Sequence, residues 1–278
     1  MKCGLVLSGG AAWGIANIGI VEVLDRHGFR FDCIAGSSMG AIVAGAYAFG
    51  IPMDILTSVA RQMSMLRIAK LTHKPFADGL HSGALRQQFE DMLFPLLGNA
   101  AIGDCHIPFV CVAAKVKKPI DWWRIFSPGF TDHFFHAVEP YVFPPETRMI
   151  DALLASSAIP VVFAPVRIGS DEFVDLIHFG AIPARTLRSV HRPDIVIGTD
   201  THPQYGILRR FLPSPWQEFM ARGQSELTFD RQACDFVITP RMPAAVFRFD
   251  RAADFIAAGR RAAEKSLPEL TALLSGDA

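Results

Sequence analysis

The chain opens on a short apolar run, Leu5–Leu7, which is stopped by Gly9-Gly10. Beyond Gly14, the apolar residues Ile15, Ile18, Val21 and Leu24 recur every three positions until Gly28, the spacing of one buried helical stripe. A second apolar run, Phe31–Ala35, meets Gly36-Ser37-Ser38-Met39-Gly40. The small-residue segment Ala41–Phe49 that follows reads as a helix able to pack closely on a sheet. The opening therefore predicts strand–turn–helix twice over. That βαβα order favours a parallel sheet covered by helices.

Residues 51–105 are mostly helical in pattern, most clearly over Leu85–Leu93. Ile107–Val116 is apolar almost throughout, as a central parallel strand should be. Residues 119–145 are rich in proline and aromatics (Trp122, Trp123, Phe126, Phe130, Phe134, Phe135, Tyr141, Phe143) and read as irregular structure. A helix is predicted over Met149–Ala158, ending before Pro160. Strands are predicted at Val161–Val166 and Glu172–Val174 around a Gly169-Ser170 turn, at Asp194–Gly198, and at Phe236–Thr239. Residues 214–232 and 249–275 read as helices. With no repeat, low-complexity tract or linker, the expectation is a single α/β domain over residues 1–278.

Composition narrows the chemistry. Half the residues are apolar and 19% are charged, enough for a sizeable core. Lysine plus arginine equals aspartate plus glutamate, 27 against 27, which leaves no basic excess for nucleic acid. The five cysteines form no C-x-x-C pair, which argues against a disulfide framework or zinc site and for a reducing, cytoplasmic compartment. No apolar stretch reads as a signal peptide or membrane span, so contact with a membrane would be peripheral. Nothing in the sequence specifies a protein partner.

Two glycine-bearing turns carry the candidate chemistry. Gly36-Ser37-Ser38-Met39-Gly40 matches G-x-S-x-G between a predicted strand and helix, the setting in which a serine is pushed out on a sharp, strained turn as a nucleophile. Ser8-Gly9-Gly10-Ala11-Ala12-Trp13-Gly14 occupies the equivalent place after the first strand. It fits neither G-x-G-x-x-G nor a P-loop. What remains is a nest of backbone N–H groups suited to an oxyanion, supplied by Gly9, Gly10 and Ala11. In a parallel unit it would open beside Ser38. For a base, the nine histidines have no motif around them. Asp175, at the end of Glu172–Val174, is better placed than Asp171, which falls in the Gly169-Ser170 turn where aspartate is routine.

These residues resemble the patatin-like phospholipase family, in particular bacterial members similar to the neuropathy-target-esterase domain. The likeness runs in order along the chain: Leu7-Ser8-Gly9-Gly10, Gly36-Ser37-Ser38-Met39-Gly40, Ala155-Ser156-Ser157-Ala158-Ile159-Pro160 followed by Phe163-Ala164-Pro165, Phe173-Val174-Asp175, Ile182-Pro183, and Asp235-Phe236-Val237-Ile238-Thr239-Pro240. The resemblance implies a three-layer α/β/α fold and a Ser38–Asp175 dyad that cleaves acyl esters of lipids or phospholipids, with no metal and no cofactor. In that scheme the serine attacks, the aspartate takes its proton, and the glycine-rich turn holds the oxyanion.

The chain departs from the family pattern at Ala11 (usually glycine), Trp13 (usually basic), Leu176 (usually glycine) and Ala181 (usually asparagine). Leu176 raises the question of whether the backbone beside Asp175 accepts a β-carbon. A catalytically weak relative that binds lipid or a partner is the alternative those departures support. An acyltransferase using the same elbow would want a histidine at position 37, which is Ser37.

Overall fold

The computed structural model describes residues 1–65, 83–120, 127–160, 163–177, 179–202 and 214–275. The first strand, β1 (Cys3–Leu7), leads through a 3-10 turn over Ala11–Ile15 into α1 (Ala16–Arg26). β2 (Cys33–Ser37) then leads directly into α2 (Met39–Phe49). Next come α3 (Met53–Met65), α4 (Gly83–Leu97), β3 (Phe109–Val116), α5 (Phe130–Ala137) and β4 (Val138–Val142). The second half runs α6 (Met149–Ser156), β5 (Val166–Ile168), β6 (Asp171–Val174), α7 (Ala184–His191), β7 (Ile195–Thr199), α8 (Ser214–Gln232), β8 (Phe236–Ile238) and α9 (Ala252–Ser275).

The strands form one sheet in the order β5-β6-β3-β2-β1-β7-β8, with β4 also paired to β3. From β3 to β8 the neighbours are parallel, whereas β4 and β6 run antiparallel to β3 and β5 runs antiparallel to β6. Side chains alternate across the sheet with the two-residue strand period. Leu5, Leu7, Ile34, Cys111 and Ala113 enter one core with α1, α2, α6 and α9, while Val6, Ala35, Val110 and Val112 enter another with α5, α7 and α8. Both faces are therefore covered, giving three layers. Continuous apolar runs, not alternation, are what this burial requires.

Several boundaries differ from the sequence reading. β2 begins at Cys33 because Asp32 closes the ladder below it: the Asp32 N–H donates to the Cys3 carbonyl at 2.8 Å, and its carboxylate accepts the Cys3 N–H at 2.7 Å. β3 is parallel on one side only. Within the stretch 119–145 read as irregular, Phe130–Val142 is regular, forming α5 and β4. Phe130 and Phe134 are buried in α5 against Phe219 of α8, and Phe143 packs on Phe173. Trp122, Trp123, Arg124 and Phe126 lie outside the described residues. Of the strand predicted at Val161–Val166, Val161 and Val162 lie outside the described residues, residues 163–165 are not strand, and β5 begins at Val166; Asp171 belongs to β6, where Lys115 pairs with it at 2.7 Å. Among the described residues no helix is long and apolar enough to cross a membrane.

Candidate active site

Parallel pairing sets the two turns side by side. Leu7 of β1 lies opposite Gly36 of β2, so the chain beyond each strand emerges at the same edge and brings Gly9 against Ser38. A methyl on Gly9 would come 2.9 Å from the Ser38 Cβ. β3 acts as the ruler for the third component. Ser37 lies opposite Val112, and Val174 of the antiparallel β6 lies opposite Ala114. Continuing one residue in each direction, Ser38 and Asp175 converge on the level of Ala113.

Ser38 sits at the junction of β2 and α2 with φ 54° and ψ −132°. A non-glycine residue at positive φ is uncommon and costs on the order of 1–3 kcal/mol, so the surroundings must impose it. They do so from two sides. Its N–H donates to the Ser156 hydroxyl at 2.8 Å, and that hydroxyl donates onward to the Val112 carbonyl at 2.6 Å. The helix that follows is pressed onto β1, where a methyl on Gly40 would overlap the carbonyl oxygens of Leu7 and Ser8.

Asp175 follows β6 and is buried. Its backbone N–H donates to the Ala158 carbonyl at 2.9 Å, its Oδ1 accepts the Ile177 N–H at 2.6 Å, and the Ser38 side chain is near enough to favour its ionised form. Burial pushes its carboxyl up from 3.8 to about 6, with the Ser38 side chain and the Ile177 N–H opposing the rise. The segment 155–158 therefore brackets the pair: Ser156 holds the Ser38 backbone and Ala158 holds the Asp175 backbone. The question raised by Leu176 resolves one residue along. Leu176 is buried in the core beside α5 and α7, and the positive φ of 54° falls on Ile177, whose N–H faces the carboxylate.

The first turn divides its backbone donors. Gly9 gives its N–H to the Ala181 carbonyl at 3.0 Å. Among the described residues, nothing takes the N–H groups of Gly10 and Ala11. Gly10 has φ 133°, and a methyl there would overlap the Thr201 carbonyl, so only glycine fits. Ala11 accepts φ 48°. Thr201 ties the turn to β7: its hydroxyl donates to the Gly9 carbonyl, and its N–H donates to the Ser8 hydroxyl at 2.8 Å.

Two neighbours of the site carry no local signal in the sequence. Ser156 is one, named only through the Ala155-Ser156-Ser157-Ala158 block of the family resemblance and given no role there. The other is His202, which the sequence groups with the motif-free histidines. It is buried, and its Cε1 lies 3.7 Å from where a Gly9 methyl would be. Burial lowers its imidazole to about 4, so the ring is neutral at ordinary pH. Its backbone N–H donates to Asp200 at 3.0 Å, and Asp200 pairs with Arg231.

A family profile described as patatin-like phospholipase matches residues 5–175, a span that contains both turns and ends on Asp175. Lysophospholipase NTE1 of Candida albicans is 32% identical over 136 residues, which cover 48% of this chain and 10% of that protein. An NTE family protein of Mycobacterium bovis is 30% identical over 165 residues, covering 59% of this chain and 39% of that protein. The chain thus spans well under half the length of these curated relatives. Among solved structures, VipD from Legionella pneumophila superposes with a TM-score of 0.47 at 15% identity, covering 95% of this chain and 67% of that one.

Proposed function

Because the chain belongs to the patatin-like phospholipase family, we propose that it is a serine acyl hydrolase acting on acyl esters of lipids, with Ser38 as nucleophile and Asp175 as general base. One observation carries the reading: a serine held at positive φ on a strand-to-helix turn is brought by the β3 register to the same level as a buried carboxylate, whose ionised form it favours. A carboxyl raised to about 6 is ionised at neutral pH yet far more basic than an ordinary aspartate, which suits proton abstraction there.

The steps use groups of the chain alone. Asp175 takes the Ser38 proton as the oxygen attacks the ester carbonyl. The N–H groups of Gly10 and Ala11 hold the resulting oxyanion, Gly9 being engaged by Ala181. The tetrahedral intermediate collapses, and the departing alcohol takes the proton from Asp175. Water then gives a proton to Asp175 and attacks the acyl-enzyme. Collapse of this second intermediate releases the fatty acid and returns the proton to Ser38.

The lysophospholipase named for the Candida relative directs the substrate panel: p-nitrophenyl butyrate beside lysophosphatidylcholine. Ser38→Ala is expected to abolish hydrolysis of both while Ser37→Ala retains most of it, and a fluorophosphonate should label Ser38. Labelling at Ser37 or Ser157 would overturn the assignment.

A further inference from the structure

Trp13 lies two residues beyond Ala11, and the chemistry above gives its side chain no task. The structure gives it a partner. Its indole N–H donates to the Ala244 carbonyl at 2.8 Å, while the Ala12 N–H donates to the Val246 carbonyl at 3.0 Å. The segment between β8 and α9 is thereby fastened to the turn at two points, two residues apart. Ala244 also packs against the core, so the segment is itself anchored. At its other end the turn is held by Thr201, through the Gly9 carbonyl and the Ser8 hydroxyl. Between these fastenings lie Gly10 at φ 133° and Ala11 at φ 48°, conformations that persist only where the surroundings impose them.

We infer that residues 244–246 form a strap that, through the Trp13 indole, sets the direction of the Gly10 and Ala11 N–H groups. Trp13 is a positioning residue, and the inference rests on the oxyanion role proposed for this turn. Its indole bonds to Ala244 and to neither Ser38 nor Asp175, so its loss should act on the transition state and leave the titration of Asp175 in place. Misdirected donors cost rate steeply, since a displacement of about 1 Å can cost on the order of 100-fold.

The test compares Trp13→Phe, which keeps a ring and removes the donor, with Trp13→Arg, which restores a donor, and with deletion of Ala245, which breaks the two-residue spacing of the strap. Turnover of p-nitrophenyl butyrate is measured across pH, beside the melting temperature. The expected result for Trp13→Phe is kcat lowered about 10- to 100-fold, with KM and the midpoint of the pH profile unchanged. Trp13→Arg should be faster than Trp13→Phe, and the deletion should match Trp13→Phe. A Trp13→Phe protein with the parent kcat, or one whose loss appears equally in KM and melting temperature, overturns the strap. Ser38→Ala separates the two failures. If that variant still hydrolyses the ester, the hydrolase reading falls and the strap with it. If it is inactive while Trp13→Phe is normal, the strap alone falls.

Discussion

Asp175→Asn should make the protein more stable and nearly inactive at the same time. In the folded chain the carboxyl is raised to about 6 from an ordinary value of 3.8. Between those two values the unfolded chain has released its proton and the folded chain has kept it, so stability falls as pH rises. The contribution is fully present below pH 3.8 and has been lost once the pH passes about 6. The difference is roughly two units at 1.36 kcal/mol each, so ionised Asp175 costs the fold about 3 kcal/mol at pH 8. Asparagine cannot ionise, yet it keeps an oxygen for the Ile177 N–H. The variant should melt about 6–12 °C higher at pH 8, given roughly 2–4 °C per kcal/mol for a chain of this size. That advantage should shrink to nothing near pH 4. Turnover should fall by about 10⁴, the scale of losing a triad-type acid, and the parent kcat/KM should rise with pH through about 6. Melting curves and ester hydrolysis across pH 4–8 check both. A variant less stable than the parent at pH 8, or equally stabilised at pH 4 and pH 8, would refute the reasoning.

Ser156→Ala strands the buried Ser38 N–H, so it should cost about 1–3 kcal/mol in denaturant unfolding and slow turnover, and a parent-like result on both counts would detach Ser156 from the site. His202→Gln should keep hydrolysis within about 10-fold of the parent, because general-base catalysis worth up to about 10⁴ is assigned to Asp175; a folded but silent variant would replace the dyad by a triad. Gly10→Ala should lower both melting temperature and turnover, since its Cβ overlaps the Thr201 carbonyl, while Ala11→Gly relieves a positive φ and should gain up to about 1 kcal/mol, read by the same melting assay.

What the sequence disclosed follows the range of the forces involved. β1 and β2 were legible because both faces of each are buried, which demands unbroken apolar runs, and because a glycine-rich turn follows each apolar run. Ser38 and Asp175 were legible because each sits at a strand end that local pattern locates. α5 and β4 were not, because their 8 and 5 residues are too short for periodicity to outweigh the prolines around them, and Phe130 and Phe134 become core only when α8 covers them. Ser156 reaches Ser38 from 118 positions away, and Ala244 reaches Trp13 from 231. No local spacing encodes such contacts. The strain beside the acid was misplaced by one residue, onto Leu176 and not Ile177, because a glycine-shaped expectation says nothing about which neighbour takes up the turn.

The seating of α2 on β1 constrains how this protein can be controlled. The Gly40 Cα rests on the carbonyls of Leu7 and Ser8 so closely that a methyl has no room. The helix that follows Ser38 and the strand feeding the neighbouring turn therefore meet with no slack along the contact. A site built on such a contact cannot be idled by sliding the helix away from the turn, since each element is the other's seat. On the proposed reading, control by a lipid, a partner or another part of a longer polypeptide would act on entry to the site, leaving Ser38 in its positive-φ turn in the resting protein. Rates of fluorophosphonate capture would then track how open the entrance is, with the intrinsic reactivity of Ser38 held constant.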